Sequence, residues 1–154
     1  MQTKIIIFLI LLFLSSCGYE SIHSKKNSIN YNFSIDKIDL IGDKEINLKI
    51  KEKLNNYTLS QKDKNFILKI SSTSNKIVLA KDIAGDSTSF QNLITVNVEV
   101  LMNDKFKKNF IIEEKFKYNN TSNKFNLRKY EKDIKNNLAE TVTDKLIFKL
   151  SNIQ

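Results

Sequence analysis

The alternation of apolar and polar residues divides the chain beyond residue 30 into six elements. Tyr31, Phe33 and Ile35 alternate with Asn32, Ser34 and Asp36 and open a strand that runs on through Ile38 and Leu40. Its parity changes between Ile35 and Ile38, which a bulge would absorb, and Gly42 ends it. Asp43 is placed to cap a helix. The face of that helix is Ile46, Ile50, Leu54 and Tyr57, a run of about four turns. Phe66, Leu68 and Ile70 mark a second strand, expected to continue into Ile77–Ala80 after a bulge at Ser72–Lys76. Residues 82–87 contain Gly85 and read as a turn.

The clearest strand is the third. Ile94, Val96, Val98, Val100 and Met102 lie on one face, and Thr95, Asn97, Glu99 and Leu101 on the other. Asn103-Asp104-Lys105 makes a tight turn. Phe110, Ile112, Phe116 and Tyr118 share the apolar parity of a fourth strand, and Glu114 falls on the same parity. Either a bulge turns Glu114 outward or it is a buried acid; the bulge is the expected arrangement. Leu127, Tyr130, Ile134, Leu138, Val142, Leu146 and Leu150 then repeat at three or four, widened by Ala139 and Ile147. Such a stripe suits a helix lying on a membrane surface or one packed on a sheet, and the sheet needs a cover. The expected fold is therefore α+β. It is a two-layer sandwich with a four-stranded, mostly antiparallel sheet, element order β-α-β-β-β-α and both helices on one face. The first helix, as a crossover, joins parallel strands.

The N-terminus follows a different pattern. Lys4 precedes ten uninterrupted apolar residues, Ile5–Leu14, and then Ser15, Ser16 and Cys17. A cationic start, a short apolar run and small residues make a secretory signal. As a helix the run spans roughly 15 Å, half the hydrocarbon core of a bilayer. Leu14-Ser15-Ser16-Cys17 resembles the lipobox of bacterial lipoproteins, which implies diacylglyceryl transfer to the Cys17 thiol, cleavage before it and acylation of the new amino group. Residues 1–16 are thus read as signal, 17–30 as lipidated cysteine and Ser/Asn/Lys-rich tether, and 31–154 as one domain. Of the 154 residues 138 remain after cleavage, and the net charge of +8 becomes +7 with the loss of Lys4. Gly18 follows the cysteine where an Asp would resemble the inner-membrane retention mark of enteric bacteria, so the lipoprotein resemblance implies the outer membrane.

Composition removes most chemistry. One Cys and one His exclude an internal disulfide and a Cys/His zinc site. His23 falls in the tether, so no triad can be built around it. Glu113 and Glu114 are adjacent on a strand and point to opposite faces. No EF-hand spacing occurs and three glycines make no phosphate loop. The expectation is a non-enzyme with no metal and no cofactor. A location outside the cytoplasm also argues against nucleic acid. The cationic balance is nearly all lysine, with Arg128 the one arginine, and suits either coding bias or a selected basic surface.

With the lipobox, Cys17-Gly18-Tyr19, the element order, the long third and fourth strands and Ala139-Glu140-Thr141-Val142-Thr143-Asp144-Lys145-Leu146 in the closing helix, the mature chain resembles the LptE family. These are the lipopolysaccharide-assembly lipoproteins of Gram-negative outer membranes. The resemblance implies a domain that plugs a large β-barrel partner, LptD-like, helps it assemble and engages lipopolysaccharide without making or breaking a bond. The competing class is another lipid-anchored assembly or structural lipoprotein, such as a pilotin-like escort. Lys105, Lys107 and Lys108, clustered after the third strand, are the candidates for anionic lipid contact. Lys107 and Lys108 are expected on opposite faces, and lysines there also suit a protected sheet edge.

Cys17→Ala should abolish acylation and release the protein from membranes on fractionation. A mature-sized, acylated species that still pellets with membranes would refute the assignment of Cys17.

Overall fold

The computed structural model describes residues 32–59, 62–103 and 105–153. The leader, Cys17, the tether and Tyr31 lie outside the described residues. The elements are β1 (Phe33–Gly42), α1 (Lys44–Leu54), a single 3-10 turn (Asn55–Tyr57), β2 (Lys64–Lys81), β3 (Ser87–Met102), β4 (Lys105–Asn119) and α2 (Lys124–Ser151). The sheet order is β1-β2-β3-β4, with β1 parallel to β2 and the other pairs antiparallel. This is the expected α+β architecture.

Burial follows strand parity. Ile94, Val96, Val98 and Val100 of β3 and Phe66, Leu68 and Ile70 of β2 are buried on one face. Ile46, Ile50 and Leu54 of α1 and Val142, Leu146 and Leu150 of α2 are buried with them. Each such side chain contributes roughly 1.5–3 kcal/mol when removed from water. Because β3 has one apolar parity, both helices cover the same face. α2 has 28 residues and so spans about 42 Å, long enough to cover most of β3 and β4.

The β1–α1 junction is held by several local contacts. Gly42 has φ +99°, and a Cβ there would lie 2.0 Å from the Ser72 carbonyl oxygen. The chain can therefore turn against β2, where the Asp43 N–H donates to that oxygen at 3.0 Å. The Asp43 carboxylate accepts from Glu45 N and Ile46 N, the expected cap. Lys135 of α2 reaches Asp43 at 2.7 Å and Glu45 at 2.8 Å. Lys53 and Asp144 add a second ion pair between the helices at 2.5 Å.

Several expectations need correction. The β1 bulge falls where parity required it, at Asp36 between Ile35 and Lys37. No bulge interrupts Ser72–Lys76: β2 pairs regularly with β3 from Phe66 to Val78, and the register shifts at Leu79 instead. Continuous pairing keeps Ser72 inside, where its hydroxyl donates to Asn47 at 2.7 Å and has no need to turn outward. β3 begins at Ser87, seven residues before Ile94, because Phe90 extends its inner parity. α1 has three turns; Tyr57 sits in the 3-10 turn and stacks on Phe33 at 5.1 Å. Tyr130 is 46% exposed rather than core, edge-on to Tyr118. Glu114 is not bulged: it pairs with Ile94 in unbroken register on the helix-facing side. It is a half-buried acid that ion-pairs with Lys145 of α2, which removes the reason to expel it.

Burial tends to raise the Asp43 pKa, but the Lys135 ammonium and the two helix N–H donors outweigh it and hold the carboxyl below its ordinary value. Asp43 therefore stabilises the fold above pH 3.8 and loses that contribution as pH falls through its lower folded value. Asp43→Asn retains a capping oxygen but not the charge. At pH 7 it should unfold about 1 kcal/mol more easily than the parent. The gap in denaturant midpoint should narrow as pH falls below 3.8; a gap that stays constant from neutral to acid pH would show that the ion pair contributes nothing.

Candidate functional site

The β3–β4 end was singled out by its lysines, and the backbone decides which of them meet. Asn103 adopts φ +53°, a left-handed turn conformation that asparagine tolerates. Beyond the turn the register runs Lys105↔Met102, Phe106↔Leu101 and Lys108↔Val100. Lys107 is the extra residue of a β-bulge. Directly paired residues share a face, so Lys105 and Lys108 both lie on the face of Val100 and Met102. Phe106 lies on the other face with Leu101 and is exposed. The bulge thus changes the simple alternation: two of the three candidates act from one face, and Lys107 is set apart.

The tertiary structure adds residues that strand reading missed. The Lys108 Nζ is 5.8 Å and the Lys149 Nζ 5.3 Å from the centre of the Phe110 ring. α2 runs antiparallel to β4, which brings its last turns to the β3–β4 end. Lys145, one turn before Lys149, is held by Glu114, and Phe148 is 65% exposed beside them. The result is a patch with two ammonium groups on Phe110 and exposed apolar area nearby. It can hold an anion through ammonium charge and an acyl chain through Phe148. The sequence signal for Lys149 was its i, i+4 spacing from Lys145; nothing in the sequence placed it beside Phe110.

The opposite end is structural. Lys76 lies 4.0 Å over the Phe90 ring and 2.5 Å from Glu131, whose carboxylate also accepts from the Tyr118 hydroxyl at 2.9 Å. Burial, then the Glu131 hydrogen bond and charge, push the Tyr118 phenol well above its ordinary range. The face of the sheet opposite the helices carries a groove of about 500 Å³ between Ile41 and Ile111. Its floor holds the Lys69–Glu99 pair at 3.0 Å, with Ser71, Asn97 and Asn109. Among the described residues no three His, Cys, Asp or Glu side chains converge to hold a metal, and no helix is long and apolar enough to cross a membrane.

No family model and no curated protein matches the chain in sequence. Solved structures do match in shape. A minor lipoprotein from Acinetobacter baumannii superposes with a TM-score of 0.61 at 12% identity, over 79% of this chain and 91% of that one. The fold is one that bacterial lipoproteins use. Rare lipoprotein B from Shewanella oneidensis aligns with a TM-score of 0.55 at 14% identity, over 75% of this chain and 97% of its own. A lipoprotein B from Nitrosomonas europaea gives 0.57 at 9% identity, over 79% and 86%. At these identities the likeness is one of fold.

If the patch takes an anionic lipid, Lys108→Gln combined with Lys149→Gln should weaken lipopolysaccharide binding about tenfold at low salt, about 1.4 kcal/mol. Lys107→Gln should change it little, and moderate salt should reduce the parent's binding. Equal binding by parent and double variant, or a parent indifferent to salt, would remove these lysines from any such site.

Proposed function

We propose that the protein is an outer-membrane lipoprotein, acylated at Cys17, that partners a large LptD-like β-barrel. It would act as plug and assembly factor in lipopolysaccharide transport to the cell surface. The observation that carries this reading is the whole-domain likeness to rare lipoprotein B and the minor lipoprotein. The lipobox and the family resemblance of the sequence point the same way. The proposed role is non-catalytic, in keeping with a single His and a single Cys, the latter assigned to lipid.

The geometry suits such a role in two respects. Both helices lie on one face, which leaves the opposite face of a long sheet free to meet a partner. The cationic end around Lys105, Lys108, Phe110 and Lys149 is chemically matched to a phosphorylated, acylated ligand.

The test is affinity purification of the acylated protein from detergent-solubilised outer membranes. A large β-barrel protein should be recovered in a one-to-one ratio. Purification of the protein alone, or with an inner-membrane assembly, would exclude the barrel reading.

A further inference from the structure

β1 is eight residues shorter than β2, and the difference leaves part of a strand edge open. The β1–β2 ladder ends at Gly42↔Ser72, where the chain turns into α1. From Thr73 to Val78, β2 continues in regular pairing with β3 on its other side. Among the described residues no strand or loop hydrogen-bonds the edge that β1 leaves. Along these six residues, about 20 Å of ladder, the alternate positions Ser74, Lys76 and Val78 continue the parity of Ser72 and direct N–H and C=O groups to the open edge, in line with the end of β1.

Sheet edges are usually blunted by charge or by bulges. The outer edge of β4 has Lys105, Lys107, Lys108, Lys115 and Lys117 together with the Lys107 bulge. The outer edge of β1 has the Asp36 bulge and the Lys37–Asp39 pair. The open part of β2 has one charge, Lys76, and that side chain is drawn onto Phe90 and Glu131 of its own fold. Ile77 and Val78 beside it are 40% and 45% exposed, on opposite faces of the sheet.

We propose that Thr73–Val78 accepts an extended segment of another protein as a fifth strand, with apolar residues at its centre and acidic residues at its ends. Main-chain hydrogen bonds would provide the affinity, and Ile77 and Val78 the apolar contacts. Charge selects the occupant. Lys44 at the start of α1 and Lys81 at the end of β2 bracket the slot, and both are exposed. Neither has a carboxylate within ion-pair distance among the described residues. A second copy would bring the same lysines and another strongly positive net charge to the contact, whereas acidic ends would meet opposite charge. The inference concerns a partner's strand and stands whether or not that partner is a barrel.

The probe is a nine-residue synthetic peptide of alternating Val and Thr with Glu at both ends, added to the full-length acylated protein in detergent. Hydrogen exchange of the edge-facing amides of Ser74, Lys76 and Val78 should slow at least tenfold. A twin peptide methylated at alternate backbone nitrogens, and a twin with Lys at both ends, should each bind at least tenfold more weakly by fluorescence anisotropy. Ile77→Lys, at an exposed position, should reduce binding of the Glu-ended peptide by a similar factor while the melting temperature stays within a few degrees. Equal affinity for the methylated twin would overturn the proposal, as would protection that appears only on β1 or β4. Protection of Thr73–Val78 that grows with protein concentration in the absence of peptide would make the occupant a second copy and overturn it equally.

Discussion

Ile94, Val96, Val98 and Val100 project from one face of the central strand, and their removal from water is the interaction on which the other elements depend. β3 lies between β2 and β4, so this face is continued by Phe66, Leu68 and Ile70 on one side and by Phe110, Ile112 and Tyr118 on the other. A sheet with one apolar side can be covered once, and α1 and α2 share that task. The reverse face is mixed: exposed Ile41, Phe106 and Ile111 lie among polar cross-strand pairs, Lys69–Glu99 and Thr95 donating to Glu113. Cross-strand pairs of this kind contribute a few tenths to about 1 kcal/mol each, which makes them aids to register rather than sources of stability.

Placement of the helices over that face is refined by charge. Lys135 joins the cap of α1 to the middle of α2, and its ammonium stays protonated above its ordinary range because Asp43 and Glu45 outweigh the opposing effect of burial. That contribution is present at neutral pH and is lost only as pH rises through the raised value. Lys145 with Glu114 and Lys76 with Glu131 tie α2 to the sheet at two further points. The lysines of this chain are therefore not one population. Some are committed to holding α2, others lie on exposed edges, and Lys108 and Lys149 share an aromatic ring. Net charge alone does not separate these uses.

The two ends of the sheet differ accordingly. At the β3–β4 end a bulge and the arrival of the α2 C-terminus gather cations around Phe110. Toward the β2–β3 hairpin the early end of β1 leaves backbone groups open and apolar side chains exposed. The second feature is a consequence of unequal strand lengths: β1 has 10 residues, whereas β2 has 18 and β3 16.

Periodicity determined the element order, a parity change between Ile35 and Ile38 and the single buried face, and residue type marked the Asp43 cap; the structure put the bulge at Asp36. Each of these is a local matter: side-chain direction alternates with period two in strands and returns every 3.6 residues in helices, so apolar spacing reports it directly. The lipobox resemblance of Leu14-Ser15-Ser16-Cys17 was likewise read from a contiguous motif, and acylation of Cys17 stands as a proposal. Glu114 was misjudged because its partner, Lys145, is 31 residues away. Sequence spacing shows that an acid occupies an inner parity but not that a cation on another element meets it there. Lys105 and Lys108 could not be placed on one face, nor Lys149 beside them, until the bulge at Lys107 and the antiparallel course of α2 were known. Open backbone at Thr73–Val78 was likewise invisible, because an edge is defined by where a different strand stops. Patterns within one segment fix which side of that segment is buried; only the meeting of segments decides which charges pair, which cluster and which backbone groups remain free.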